Sequence, residues 1–233
     1  MEPQKTILLP FLRKIAAKLS EFGITLFGVA DLDGVSTLPD QTGHSFPRAV
    51  SFARRMDPAI MAGIKSGPNQ AYADEYARAN DNINAAAAAL VAEIQKLGYD
   101  ARTFGASERT DPINIRGEFP HKTAATRAGI GWVGRNCLLI TQKYGPWVRL
   151  GTVFTHLPLD CAKPLTKNHC GKCRKCVEAC PAGAIVGNPW KPGIQRNELL
   201  DVGCCDRWKK EHYYQFHKGH NCGICAAVCP FGR

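Results

Sequence analysis

The stretch that decides the fold is Cys170-Gly-Lys-Cys173-Arg-Lys-Cys176-Val-Glu-Ala-Cys180-Pro181. Its C-x2-C-x2-C-x3-C-P spacing is the one with which polypeptides bind [4Fe-4S] clusters. The short gaps predict a tight turn that directs three thiolates at three irons of one cluster. The fourth cysteine follows one helical turn later and points toward a second cluster, and the proline ends the run. We therefore expect an iron-sulfur module in this part of the chain.

A second run, Cys222-Gly-Ile-Cys225-Ala-Ala-Val-Cys229-Pro230, repeats the pattern without the third cysteine. Its missing ligand must come from upstream, where two cysteines are adjacent. In two-cluster ferredoxins the last cysteine of each run binds the other run's cluster. The expected sets are Cys170, Cys173, Cys176 and Cys229 for one cluster, and Cys180, Cys222, Cys225 and either Cys204 or Cys205 for the other.

Two other uses of cysteine fit this sequence less well. Paired CxxC motifs also build zinc ribbons, but the three-cysteine run and the two Cys-Pro endings favour iron. Disulfides fit poorly, because nine of the eleven cysteines lie in 170–229 and the start of the chain has no export signal. Thiols stay reduced in the cytosol, and we expect a cytoplasmic protein.

The composition is that of a globular protein, with 45% hydrophobic and 21% charged residues. No apolar run approaches the ~20 residues of a membrane-spanning helix. The formal charge of +10 would suggest an acidic partner such as nucleic acid. Two clusters with their thiolates would reduce it to about +6, which weakens that inference.

Periodicity and turn residues predict a mixed α/β (α+β) chain. Helices are expected over 5–22, 69–97 and 121–128, single strands over 24–29 and 49–53, and a pair of strands over 136–141 and 148–154. The cysteine-rich tract begins near residue 160. The predicted domains are therefore 1–160 and 161–233.

Several segments before that boundary carry a resemblance. They are Glu21–Leu32, Tyr72–Arg78, Ala128-Gly-Ile-Gly-Trp-Val-Gly-Arg-Asn136 and Leu150–Leu159. In this order, and followed by the cluster tract, they resemble epoxyqueuosine reductases and the related reductive dehalogenases. That resemblance implies a nitroreductase-like core holding a base-off cobalamin, followed by a ferredoxin-like module with two [4Fe-4S] clusters.

The resemblance also implies which residues contact the corrin. Glycines at Gly129, Gly131 and Gly134 lack a Cβ and would let the backbone approach a flat macrocycle. The neighbouring Trp132 and Asn136 complete the expected cofactor-binding set, with the Asn136 amide facing a corrin side chain. The alternative is a glycine-rich turn that binds no ligand.

The chain departs from the resembling family at the proton donor. The family's aspartate would fall near Ile115, and Asp111 is the nearest aspartate and hence the candidate for the catalytic acid, while Glu118 and His121 lie closer to the glycine motif. The alternative for Asp111 is a turn residue preceding Pro112. At the second cluster, the family's upstream ligand has an aromatic residue three positions later, which matches Cys205 with Trp208.

The other departure concerns the substrate. The family continues beyond the clusters into a helical-repeat domain that helps to bind tRNA, whereas this sequence ends at Arg233. We therefore expect no specific tRNA binding.

The expected function is a reductase that passes electrons through two [4Fe-4S] clusters to cobalamin. It would reduce an unidentified small molecule or modified base, with an external donor such as ferredoxin or flavodoxin. The alternative is an electron-transfer or accessory protein that binds no corrinoid and docks on a partner enzyme.

Overall fold

The computed structural model describes residues 3–37 and 39–231. The helices are α1 Pro3–Ser20, α2 Pro58–Ala62, α3 Gln70–Gln95, α4 His121–Arg127, α5 Lys175–Glu178, α6 Val202–Tyr213 and α7 Ile224–Ala227. The strands are β1 Ile24–Asp31, β2 Arg48–Arg55, β3 Ala101–Thr103, β4 Gly131–Val133, β5 Leu139–Thr141 and β6 Val148–Thr155. Short 3-10 turns lie at Arg196–Glu198 and His217–Gly219.

The chain forms two compact units, each built from several segments. The first comprises residues 1–54, 80–130 and 149–165, and the second comprises residues 55–79, 131–148 and 166–233. The predicted boundary at about residue 160 would instead give two consecutive domains. Whether 1–160 and 161–233 fold independently stays a prediction. The difference arises because 55–79 and 131–148 have most of their contacts within the unit that carries the cysteine-rich tract.

A four-stranded sheet in the order β1-β2-β6-β3 organises the first unit. Strands β1 and β2 are antiparallel, as are β3 and β6. Successive residues of a strand point to opposite faces, and neighbouring residues here enter different cores. Val29 and Val153 lie in one hydrophobic cluster, whereas Ala30 and Phe154 lie in another. Both faces of this sheet are therefore covered.

Helix spacing explains what covers each face. On one face, α1 and α3 contribute a stripe of buried apolar side chains at intervals of three and four residues. These are Phe11, Ile15 and Leu19 from α1, and Ile83, Ala87, Leu90 and Ile94 from α3. On the other face, Ala124 of α4 packs with Phe46 and Phe119. The predicted amphipathic helices 5–22 and 69–97 are confirmed to within two residues at each end.

The second unit contains the hairpin β4–β5, the start of α3, and the loops that carry the clustered cysteines. One core of this unit joins Met56, Met61, Ile64, Tyr72, Ala79, Trp147, Ala226 and Ala227. The indole of Trp147 donates a hydrogen bond to the carbonyl of Ala226 at 2.9 Å. The core therefore holds α7, and with it the second cysteine run, against α2 and α3.

The prediction that 136–141 and 148–154 pair with each other was wrong. Strand β5 pairs with β4 in the register Gly131↔Thr141, Trp132↔Ile140 and Val133↔Leu139. Strand β6 instead lies inside the four-stranded sheet, between β2 and β3. The glycine-rich segment supplies β4, the partner of β5. Gly131 has no side chain, so its backbone can lie close to that of Ile140. A Cβ on Gly131 would lie 2.3 Å from the carbonyl oxygen of Ile140.

In the described part of the chain, no helix is both long and apolar enough to cross a membrane.

Packing in the first unit makes Gly151 a sensitive position. A Cβ there would lie 2.3 Å from Cε2 of Phe52 and 3.0 Å from Cγ2 of Ile83, and both side chains are buried. Gly151→Ala should lower the free energy of unfolding by about 1–3 kcal/mol through overpacking, measured by urea denaturation. Gly63→Ala is the control, because its Cβ would lie 3.4 Å from the nearest atom. Equal stabilities of the two variants would contradict this packing.

Candidate metal centre

The first cysteine run begins at an anchor on β4. The Asn168 side chain donates to the carbonyl of Val133 at 3.0 Å and accepts from the backbone N–H of Cys170 at 2.8 Å. The backbone N–H of Cys173 then donates to the carbonyl of Cys170 at 3.1 Å. This tight turn is the local structure that the C-x2-C spacing predicts. Helix α5 follows, carrying Cys176, and Cys180 comes just after it.

One cavity brings the first run together with the last cysteine of the second. Its walls are Cys170, Cys173, Cys176, Cys229, Arg135, Asn136, Ile140, Pro230 and Phe231. Cys229 is buried and packs with Trp132 and Ile140. Four thiols from distant parts of the sequence therefore face a common space, and their donor chemistry fits a four-iron cluster.

Electrostatics of these thiols reflect their burial and mutual proximity. Burial raises the pKa of Cys229 to about 11, and the negative charges of Cys170, Cys176 and Cys173 add to the rise. The pKa of Cys176 is raised for the same two reasons. Neighbouring thiolates repel one another, so a bound cation is needed to hold them deprotonated together.

A second group forms around α6 and α7. Burial, followed by the charges of Cys222, Cys205, Cys176 and Cys180, raises the pKa of Cys225 well above its ordinary value. The pKa values of Cys205 and Cys222 are also raised by burial, and each of these thiols interacts with Cys180. Lys209 opposes both shifts with its positive charge. These interactions connect Cys180, Cys205, Cys222 and Cys225.

Cys204 and Cys205 face different surroundings. The carboxylate of Asp201 caps α6 by accepting from the backbone N–H of Cys204 at 2.8 Å. The thiol of Cys204 donates to the carbonyl of Ala182 at 3.1 Å. Consecutive residues on an α-helix project about 100° apart, so Cys205 points elsewhere, toward Cys222 and Cys180. The geometry favours Cys205 as the upstream member of the second set.

Within residues 3–37 and 39–231, no group of three or more His, Cys, Asp or Glu side chains is gathered closely enough for a single metal ion. Each thiolate of a [4Fe-4S] cluster binds a different iron, which separates the ligands from one another.

The structure places the predicted corrin-contacting glycines against the protein itself. A Cβ on Gly134 would lie 2.8 Å from both Cγ1 of Ile140 and Oδ1 of Asn136. Together with the close approach of Gly131 to Ile140, this contact explains why these two positions lack a side chain. Gly129 adopts a positive φ of 70°, which glycine accommodates readily. The alternative of a glycine-rich turn accounts for all three residues.

Trp132 and Asn136 also have partners in the second unit. Trp132 is 4% exposed and meets the rings of His169 and Phe231 edge-on. The Asn136 amide donates to the carbonyl of Cys225 at 3.2 Å. Both side chains thus support the cysteine loops. Gly131, Trp132, Gly134 and Asn136 thus each have a structural role in the second unit, and their expected contacts with a corrin stay a prediction.

Asp111 is held as a turn residue. Its carboxylate accepts from the backbone N–H of Asn114 at 2.9 Å, from the Asn114 side chain at 2.7 Å and from Arg116 at 2.9 Å. The hydrogen bonds from Asn114, followed by the nearby Arg116, lower the pKa of Asp111. A carboxylate stabilised in its charged form is poorly suited to donate a proton near neutral pH.

Sequence reasoning missed a polar group in the first unit. Arg149 donates to Asn80 Oδ1 at 2.9 Å and to the Ser107 hydroxyl. Nδ1 of His121 lies 2.9 Å from the Thr152 hydroxyl. Burial, assisted by the charge of Arg149, lowers the pKa of His121 to about 4, so the ring is neutral at pH 7. No sequence spacing could reveal this group, because its members come from separate helices, strands and loops.

Comparisons with known proteins agree with this site. A family model described as a 4Fe-4S double cluster binding domain matches residues 169–232. An epoxyqueuosine reductase from Listeria monocytogenes is 37% identical over 124 residues, covering 50% of this chain and 31% of the relative. The chain spans between 30% and 52% of the lengths of such curated relatives. The prediction of a two-cluster iron-sulfur segment is confirmed.

Solved structures show the fold. A reductive dehalogenase, described in connection with B12-dependent dehalogenation, matches with a TM-score of 0.71 and 21% identity over 94% of this chain and 31% of its own. An epoxyqueuosine reductase with an epoxyqueuosine-modified tRNA-Tyr stem loop matches with a TM-score of 0.60 and 19% identity over 96% and 66%. The tRNA stem loop belongs to that relative, whereas the sequence of this chain predicts no specific tRNA binding. The predicted α+β class and family resemblance are confirmed: the chain is similar in sequence to epoxyqueuosine reductases and shares its fold with them and with reductive dehalogenases.

Proposed function

We propose that this protein is a cobalamin-dependent reductase that uses two [4Fe-4S] clusters as its electron path. The observation that carries the proposal is the gathering of cysteines into two sets, each drawing a member from the other run. Such a crossed pair of sites is suited to moving single electrons between neighbouring clusters. An external donor such as ferredoxin or flavodoxin would supply the electrons, in the cytoplasm, where thiols stay reduced.

The proposed ligands follow from the contacts around each set. Cys170, Cys173, Cys176 and Cys229 hold the first cluster, and Cys180, Cys205, Cys222 and Cys225 hold the second. Asn168 positions the loop of the first set, and Asn136 holds the carbonyl of Cys225 in the second. These amides fix the backbone that presents the thiols, which limits reorganisation when the clusters change oxidation state.

The corrinoid part of the proposal is supported by kinship. When bound, cobalamin supplies a strongly reducing cobalt centre. The chain's own contribution at that centre is to bind, orient and exclude water. Gly129, Gly131, Trp132, Gly134 and Asn136 are the residues proposed to contact the corrin, in addition to their contacts within the chain.

The substrate class that the relatives favour is a modified base in tRNA, namely epoxyqueuosine. The solved relative bound to an epoxyqueuosine-modified stem loop supports this choice over a free small molecule. The formal charge of +10 is compatible with a polyanionic substrate. We therefore replace the expectation of an unidentified substrate with this one.

One observation favours the alternative of an accessory electron-transfer protein. Gly131 and Gly134 of the glycine motif pack closely against Ile140 and Asn136 of the same chain. This packing explains the two glycines without a corrin. In that case the clusters would serve a partner enzyme, and this chain would bind no cobalt.

Cobalamin binding and tRNA reduction separate the two functions. Anaerobic titration of the cluster-loaded protein with cob(II)alamin should change the cobalt spectrum, with the base displaced. With reductant, the loaded protein should convert an epoxyqueuosine-modified tRNA-Tyr stem loop, whereas an unmodified stem loop serves as the control. No spectral change up to about millimolar cobalamin, ~4 kcal/mol of binding, would contradict the corrinoid and support the accessory role. Cobalamin binding without conversion would contradict only the substrate.

A contrast between adjacent thiols tests the second ligand set. Cys205→Ala should lose or convert one cluster, because it removes a thiol that interacts with Cys222 and Cys180. Cys204→Ala should keep both clusters, because its thiol is bonded to the carbonyl of Ala182. Iron content and the paramagnetic spectrum of the reduced protein report the outcome. The reverse result would refute the assignment, and equal tolerance of both changes would show that either thiol serves.

The turn role of Asp111 makes a further prediction. Asp111→Asn keeps an oxygen that can accept from the backbone of Asn114, so the rate of stem-loop reduction should stay within about twofold. A general acid would instead lose about 10²–10⁴-fold. Arg116→Gln is the matched control, since it removes the ion pair while retaining the carboxylate. A large loss in Asp111→Asn, with Arg116→Gln unaffected, would restore Asp111 as the proton donor.

A further inference from the structure

Arg135 occupies an unusual position in the wall of the first cysteine cavity. It lies immediately after Gly134, and its side chain lines the space faced by Cys170, Cys173 and Cys229. One end of its guanidinium is fixed to the protein. Nη1 donates to the carbonyl of Gly187, and Nη2 donates to the carbonyl of Gly171 at 2.7 Å. Gly171 directly follows Cys170, so this hydrogen bond connects Arg135 to the cysteine loop.

The third nitrogen of this side chain differs from the other two. Nε of Arg135 is buried and has no hydrogen-bond partner among the described residues. On the same hairpin, Nε1 of Trp132 is a second buried donor without a partner, and Trp132 packs against Cys229. A buried donor left unpaired is costly, and more so when it is charged. An unpaired cationic donor in the wall of this cavity indicates that the cavity receives a group with acceptors.

We propose that Arg135 donates Nε–H to a sulfur of the first cluster and raises the reduction potential of that cluster. The inference rests on the proposed ligand assignment, because it places a cluster among Cys170, Cys173, Cys176 and Cys229. It is independent of cobalamin and of the substrate.

The sign follows from charge. A [4Fe-4S] cluster with four thiolates carries about −2 when oxidised and about −3 when reduced. A nearby cation stabilises the more negative form more strongly, and a hydrogen bond to sulfur acts in the same direction. None of the ion pairs of the described residues includes Arg135, so its charge is not offset by a carboxylate.

The cation beside the second set differs from Arg135, because it is paired with a carboxylate. This cation, Lys209, lies 3.6 Å from the carboxylate of Asp206, which is buried and also pairs with Lys210 at 2.8 Å. At Cys205, the negative charge of Asp206 acts against that of Lys209.

Potentiometric titration of the cluster-loaded full chain, followed by electron paramagnetic resonance, tests this proposal. Cys173→Ala identifies which signal belongs to the first cluster. Arg135→Gln should decrease the one-electron reduction constant of that cluster at least tenfold, a lowering of 59 mV, and change the second cluster less than threefold. Arg135→Lys, which keeps the charge but lacks Nε–H, should give a smaller decrease. Arg174→Gln is the control, because Arg174 is exposed within the same loop, and its effect should stay below threefold.

Unchanged potentials in Arg135→Gln, or a shift equal to that of Arg174→Gln, would overturn the proposal. If Arg135→Gln fails to hold the first cluster, the unaltered protein labelled with 15N-arginine decides. Its first-cluster signal should show altered nitrogen modulation, which persists in Arg174→Gln, and the absence of that change would refute the hydrogen bond. A wild-type protein that assembles no first cluster would overturn the ligand assignment as well. Failure to bind cobalamin or to reduce tRNA would affect the proposed function alone.

Discussion

The second unit depends on one constraint: buried thiols from two distant runs must share the same small spaces. Cys229 faces the cavity of Cys170, Cys173 and Cys176, while Cys180 interacts with Cys222 and Cys205. Burial and mutual repulsion oppose the ionised form of these groups, as the raised pKa of Cys229 shows. An iron cluster removes this opposition, because its irons replace the protons and compensate the charge. Because each cluster would bind thiols from both runs, this replacement of protons by iron also connects the two ends of the cysteine-rich segment.

The rest of the second unit holds the cysteine loops in the positions that this replacement of protons by iron requires. The hairpin β4–β5 provides an anchor for the first loop through Val133 and Asn168, and a wall for its cavity through Arg135 and Ile140. Trp147 holds α7, which presents Cys225, through the carbonyl of Ala226. The glycine motif, which resembles a ligand-binding sequence, is better explained as the compact backbone of this wall.

Cysteine spacing predicted much of this site because it encodes local geometry. The x2 gaps set the turn at Cys170–Cys173, and the helical step after Cys176 sets the direction of Cys180. Helix periodicity likewise predicted α1 and α3, whose buried faces recur every three to four residues. The partner of β5 could not be predicted in the same way, since either β4 or β6 offers apolar residues and only the close approach of Gly131 to Ile140 decides between them. The sequence places Arg135 beside the glycine motif, but a surface arginine and one lining a cavity look alike in sequence, so its place beside the first cysteine set could not be predicted.

Iron analysis and Mössbauer spectroscopy of the full chain, reconstituted anaerobically with 57Fe, test the central claim most directly. The account predicts about eight irons per chain, present as two [4Fe-4S] clusters, with little zinc. Stoichiometric zinc with little iron, or four irons in a single cluster, would contradict the crossed two-cluster arrangement.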